Sequence, residues 1–238
     1  MRYHYVWLFW SSAFLLPWAA LYWSAPLLRR MMLRVSLATS LFGLTEPLFV
    51  PSYWNPPSLF ELAQRTRFDL ESLVFSFGIG GIGAVLYAAL RRTHLVSLAT
   101  RTRDEPLHRF HRIALWVPIV AFVILQFLPW NAIYSALLAL VLGGIASVLC
   151  RPGLITATLI GGALFFGLYG AFMLALVWTA PGYIAAVWNL PALSGVLIGA
   201  IPLEELLFGF AFGLYWSGVY EHMFWAESVV HANVAAAA

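Results

Sequence analysis

Glu46, Glu71, Glu204 and Glu205 each sit inside or at the edge of a long apolar run. An ionisable group within hydrocarbon costs on the order of 3 kcal/mol or more, so such a residue is a functional candidate by default. Burial in an apolar pocket disfavours a carboxylate anion, and two close carboxyls tend to share one proton. That combination sets a proton donor beside an acceptor. Tyr53, Trp54, Trp188, Phe75, Phe77, Phe208 and Phe210 lie close to these glutamates in sequence, and aromatic faces stabilise cations. The set suits a reaction that protonates an apolar alkene, carries a carbocation and then removes a proton. Ring closure of an isoprenoid fits that description without a redox cofactor. We expect Glu204, Glu205 and Glu71 to be catalytic, and Glu46, Tyr53, Trp54, Asn55, Phe75, Trp188, Asn189 and Phe208 to contact substrate, with no cofactor and no metal.

A plainer account exists for three of the carboxylates. Glu71, Glu204 and Glu205 open helices, where the helix dipole favours negative charge. Against capping alone stand their recurrence at one face of one bundle, the arrival of Glu46 at the same level, and the aromatics Phe75 and Phe208 four residues beyond Glu71 and Glu204.

The elements that must hold these residues follow from composition. The chain has 238 residues, 62% hydrophobic and 10% charged, with a mean hydropathy of +0.85. Soluble domains carry about 25% charged residues. In a bilayer every backbone N–H and C=O must be paired within the protein, which leaves helices or a closed barrel. The apolar runs are continuous rather than alternating, so the expected fold is all-α and integral to the membrane, with about seven spans. The runs predict helices over 3–23, 35–50, 70–90, 113–128, 132–150, 154–178 and 202–220. Pro51, Pro129 and the Arg151-Pro152-Gly153 turn punctuate them. The first is read as a retained helix, because only Arg2 precedes it and no small-x-small cleavage site follows.

All 13 basic residues are arginine. Arg29, Arg30, Arg34, Arg91, Arg92, Arg101, Arg103, Arg109, Arg112 and Arg151 fall in loops on one face, against Arg2, Arg65 and Arg67 on the other. Excess arginine marks the cytoplasmic side. The expectation is an N-terminus outside, a C-terminus in the cytoplasm, and a multi-pass protein of the cell inner membrane. The positive charge reads as topology, not nucleic-acid binding. The cluster Arg103-Asp104-Glu105 reads as a solvated turn, Glu221-His222 as interfacial, His4 and His231 as unpartnered, and the alanine tail 235–238 as uninformative. Cys150 is the only cysteine, so no internal disulfide can form and no cysteine metal site is expected.

An internal duplication is legible. Tyr53-Trp54-Asn55-Pro56 parallels Val187-Trp188-Asn189-Leu190-Pro191, and Leu70-Glu71-Ser72-Leu73-Val74-Phe75-Ser76-Phe77 parallels Leu203-Glu204-Glu205-Leu206-Leu207-Phe208-Gly209-Phe210. We expect a single membrane domain over 1–238, built of parallel three-helix units at about 1–90 and 131–222, joined by a loop and helix at about 91–130.

Pro202-Leu203-Glu204-Glu205 followed by Leu206-Leu207-Phe208 resembles the Pro-x-Glu-Glu-x-x-Phe signature of the membrane lycopene cyclase domain family, in the form with both units fused in one chain. More distantly, the layout resembles the fungal seven-helix meroterpenoid cyclases. The resemblance implies ring closure at the ends of lycopene or a related carotenoid without net redox change. It places Glu204 and Glu205 on the family's paired glutamates and Glu71 on the equivalent of the first unit. That unit departs from the pattern, lacking the proline and carrying Ser72 for the second glutamate. The partners implied are a lipophilic carotenoid or other isoprenoid and the bilayer, with no nucleic acid; a homo-oligomer or contact with other pathway enzymes is compatible. The competing readings are a proton-coupled transporter, whose polar groups belong at mid-depth, a terpene cyclase acting on another isoprenoid, and a structural subunit packed through the glycines of the sixth helix.

Overall fold

The computed structural model describes residues 3–99, 103 and 105–230. Arg2, Arg101, Asp104, His231 and the alanine tail, each considered above, lie outside the described residues. Ten α-helices are described: α1 (Val6–Ala13), α2 (Leu15–Ser24), α3 (Arg29–Ser40), α4 (Leu62–Thr66), α5 (Leu70–Leu90), α6 (His111–Leu125), α7 (Ala132–Cys150), α8 (Ile155–Thr179), α9 (Tyr183–Val187) and α10 (Leu203–Phe224).

Among the described residues, five helical stretches are long and apolar enough to cross a membrane: Val6–Ser24, Leu70–Leu90, Pro106–Leu125, Ala132–Cys150 and Pro152–Thr179. Large side chains such as Leu16, Phe127 and Trp178 stand 74%, 85% and 84% exposed. Water would penalise that surface, whereas lipid tails accept it. The architecture is predominantly helical and suited to a membrane. The expected second and seventh helices are present but fall outside this set. The second is α3 continued as a 3-10 run, Leu41–Leu48, and the seventh is α10, which carries Glu204, Glu205 and Glu221.

Local chemistry explains the ends. Asp69 caps α5 by accepting the Ser72 backbone N–H at 2.5 Å, and Asn131 caps α7 by accepting that of Ile133 at 3.2 Å. Pro47 lies inside the 3-10 run. It has no N–H to give and its ring clashes with the preceding turn, so the α-helix cannot continue in register. The Glu46 carbonyl accepts Phe49 and Val50 N–H groups instead, at 2.8 and 3.0 Å.

In the packed bundle α10 runs along α8 and α7 and touches α5, α3 runs along α5, and α6 along α7. Glycines set the closest approaches. A Cβ at Gly81 would sit 2.2 Å from Ser36 Oγ, and one at Gly43 2.7 Å from the Leu73 backbone nitrogen. Small residues of this kind let helices approach in the absence of a hydrophobic drive between them. At the arginine-rich end, strand β1 (Thr93–Ser97) pairs antiparallel with β4 (Ala226–Val230), Thr93 opposite Val230. At the other end β2 (Leu197–Ile198) and β3 (Ile201–Pro202) form a short hairpin leading into α10. Gly199, at φ +65, makes its turn.

Candidate active site

The interior of the bundle holds a cavity of about 720 Å³. Its wall from α10 is the face Glu205, Phe208, Phe212, Trp216, Val219, Tyr220 and Met223, which recurs at helical spacing of three and four. From Glu205 to Phe224 the helix rises roughly 28 Å at about 1.5 Å per residue. The cavity is therefore long as well as apolar. Among the described lining residues, Arg34, Glu46 and Glu205 carry charge-bearing groups. Arg34 stands toward the far end, donating to the Tyr220 hydroxyl at 3.1 Å.

Glu205 lies in the first turn of α10 and is 5% exposed. Three donors converge on its carboxyl. Trp188 Nε1–H donates to Oε1 at 2.8 Å, Tyr53 donates its hydroxyl to the same oxygen, and Tyr169 donates its hydroxyl to Oε2 at 2.5 Å. Such a set favours a carboxylate held in one orientation. Glu46 lies near the end of the 3-10 run and is 8% exposed. Trp54 Nε1–H donates to its Oε1 at 2.6 Å. Its carboxyl borders the same cavity.

The two indoles that hold these carboxyls are paired. Trp54 and Trp188 form an antiparallel backbone bridge. Asn55 N–H donates to the Val187 carbonyl and Asn189 N–H to the Tyr53 carbonyl, both at 2.8 Å. The ring centroids of the tryptophans are 5.2 Å apart, and Trp7 meets Trp54 edge-on at 4.7 Å. Around the carboxyls the walls are aromatic faces: Phe75, Tyr169, Phe172, Phe208 and Phe212.

Of the residues expected at the site, the structure brings together Glu205, Glu46, Tyr53, Trp54, Phe75, Trp188 and Phe208 around this cavity. Glu204, Glu71, Asn55 and Asn189 do not line it. Glu204 points to the loop before α10, where its Oε1 accepts the Ser194 N–H at 2.8 Å and the Tyr134 hydroxyl at 2.7 Å. Glu71 holds the corresponding loop before α5, accepting the Leu59 N–H at 2.6 Å. Asn189 donates its side-chain amide to the Ser52 carbonyl at 3.0 Å, as Asn131 does at 2.8 Å. Sequence reasoning missed Tyr169, Trp7, Phe172 and Phe212. Tyr169 had one signal, being the single tyrosine in the apolar run of α8; the others are indistinguishable from ordinary packing residues by type.

Residues 131–223 match the family model described as lycopene cyclase. The matching stretch runs from the N-cap of α7 through nearly all of α10, and this similarity supports a carotenoid cyclase. It includes Tyr169, Trp188 and Glu205. Searches of curated proteins and of solved structures gave no match.

Proposed function

We propose that this chain, with its lycopene cyclase domain over residues 131–223, closes rings at the ends of a long linear carotenoid, lycopene or a close relative, within the membrane. The observation that carries this reading is the placement of Glu46 and Glu205 at one end of a long aromatic-walled cavity. The chain threads the apolar length and presents its terminal alkene to the carboxyls.

In this mechanism Glu46, held by one indole N–H, gives its proton to the terminal alkene. The tertiary carbon left electron-poor is attacked by the internal alkene, so one carbon–carbon bond forms and the positive charge moves into the ring. Glu205, fixed as an anion by three donors, faces that charge before it develops and accepts the proton lost from the ring carbon. Electrostatic preorganisation of this kind is commonly the largest catalytic contribution. Product and substrate are isomers, and transfer of the proton back to Glu46 restores the starting state. Aromatic faces shield the cation from water. Glu204 and Glu71, expected from the sequence to be catalytic together with Glu205, act here as loop anchors that set the entry angles of α10 and α5.

The related contacts made by Glu71 and Glu204, and by Trp54 and Trp188, support two duplicated three-helix units. We place α3 with its 3-10 extension and α10 across the membrane with the five apolar helices, N-terminus outside. A carrier would hold its polar groups at mid-depth, whereas the charged cavity groups sit toward its ends.

Coexpression with a lycopene-producing pathway in a bacterium, followed by pigment separation, tests the reading. Monocyclic or bicyclic carotenoid is the expected product. Unchanged lycopene, with the protein present in the membrane fraction, would overturn the substrate assignment.

A further inference from the structure

We propose that His111, Cys150 and His222 bind a thiophilic transition-metal ion, zinc or copper(I), that clamps α6, α7 and α10 together at the arginine-rich end of the bundle. One ligand atom from each lies within 4.8 Å of the other two. The side chains are 8%, 5% and 1% exposed. They come from the first residue of α6, the last of α7 and the final turn of α10, so one ion would cross-link three separate helices.

The details favour ligation over plain packing. His111 Nδ1 is 3.5 Å from Cys150 Sγ, and the two imidazoles meet edge-on with centroids 4.6 Å apart. His222 Nδ1 lies 3.2 Å from Ser147 Oγ. Its Nε2 is buried with no hydrogen-bond partner among the described residues. Leaving such a group unsatisfied costs about 1–3 kcal/mol. With Nδ1–H donating to Ser147, Nε2 presents a free lone pair, the form in which histidine binds a metal. A hydrogen bond on the opposite ring nitrogen is the usual device for fixing that tautomer.

Donor type selects the ion. Two imidazoles and a thiolate suit zinc or copper(I), and do not suit magnesium or calcium, which take oxygen ligands. Bond lengths of about 2.0–2.3 Å place neighbouring ligand atoms roughly 3.5 Å apart. His111 Nδ1 and Cys150 Sγ already stand at that spacing. Arg151 donates to the Glu221 and Ala226 carbonyls at 2.6 and 2.8 Å, and the Glu221 carboxylate, held by Ser228, offsets the guanidinium. The thiolate cancels the whole charge of copper(I) and half that of zinc. Trp225 stacks on His111 at 4.0 Å and screens the cluster from water.

His222 stands seventeen positions beyond Glu205 in α10, roughly 26 Å along the helix axis at about 1.5 Å per residue. The ion is therefore structural and takes no part in ring closure. Spacings of this kind follow no sequence motif, which is why a lone cysteine suggested no metal.

The test is elemental analysis of the full chain, purified in detergent through a histidine-free tag. About one equivalent of zinc or of copper is expected, which also distinguishes the two, with loss of most of it in Cys150→Ser and His222→Ala. Chelation should lower the melting temperature of the wild type and leave that of Cys150→Ser unchanged. Cobalt(II) loading of the wild type should give a thiolate-to-metal absorption band, and Cys150 should react with a thiol reagent only after chelation. These last two readouts need no variant, should either fail to fold. Absence of the cobalt–thiolate band together with less than about a tenth of an equivalent of metal, or metal content unchanged in Cys150→Ser, would overturn the proposal. Pigment production plays no part in these measurements, so their failure leaves the cyclase reading standing.

Discussion

Trp54 and Trp188 pack against one another with centroids 5.2 Å apart and planes tilted by 49°, and each gives its indole N–H to a different carboxyl of the same cavity, Trp54 to Glu46 and Trp188 to Glu205. A single aromatic pair thus fixes two acidic groups from opposite halves of the chain. The antiparallel bridge between these residues makes the relative position of the carboxyls a property of the backbone.

The two carboxyls should each be indispensable. Glu46→Gln and Glu205→Gln keep the shape but exchange one acceptor oxygen for a donor amide and lose the transferable proton and the anion. Cyclised product in coexpressing cells should fall by about 100-fold or more for each, in line with removal of a principal electrostatic group, at unchanged membrane abundance. Near-normal cyclisation by either variant would remove that residue from the mechanism.

Tyr169→Phe should reduce cyclisation while sparing substrate uptake. The change deletes one of three donors to Glu205, and a charge-assisted hydrogen bond is worth about 1.5–3 kcal/mol, or roughly 10- to 100-fold in rate. Initial rates in membranes at saturating lycopene should fall, with little change in the substrate concentration giving half-maximal rate. A change confined to the latter would make Tyr169 a binding group alone.

Glu204→Gln and Tyr134→Phe should weaken the fold more than the chemistry. Both break the anchor that Glu204 forms with Ser194 and Tyr134, at a cost of about 1–3 kcal/mol. Melting in detergent should drop by several degrees while cyclised product persists. Complete loss of product from a stably folded Glu204→Gln would return this residue to the catalytic set.

Gly43→Ala tests the link between packing and the acid. The added methyl would lie 2.7–2.9 Å from the backbone of Ser72 and Leu73, where no flexible side-chain end can yield. The 3-10 run must shift away from α5 and carry Glu46 with it. Overpacking of this kind costs about 1–3 kcal/mol. Cyclisation should fall at least as steeply as stability. Full activity would show that the position of Glu46 tolerates the displacement.

Much of this was legible before any coordinates. The expected helices at 70–90 and 132–150 match α5 and α7 residue for residue, because long apolar runs in lipid have one backbone solution and Asp69 and Asn131 cap their starts. The choice among glutamates was not legible. Glu204 and Glu205 are adjacent in one helical turn, so they point about 100° apart, and nothing in their types says which faces the cavity. Glu46 was recognised as a contact but not as the second carboxyl of the pair, since its partner Glu205 lies far away in sequence. The cluster of His111, Cys150 and His222 was invisible for the same reason.

What the sequence alone determined is the solvent, the helices and the presence of acid at their edges, all consequences of local composition and backbone hydrogen bonding. What only the tertiary structure decided is which acids meet. Side-chain convergence depends on the rotation and crossing of α10 against α8, α7 and α5 and on the Trp54–Trp188 bridge, and those are set by packing between residues that the sequence places far apart.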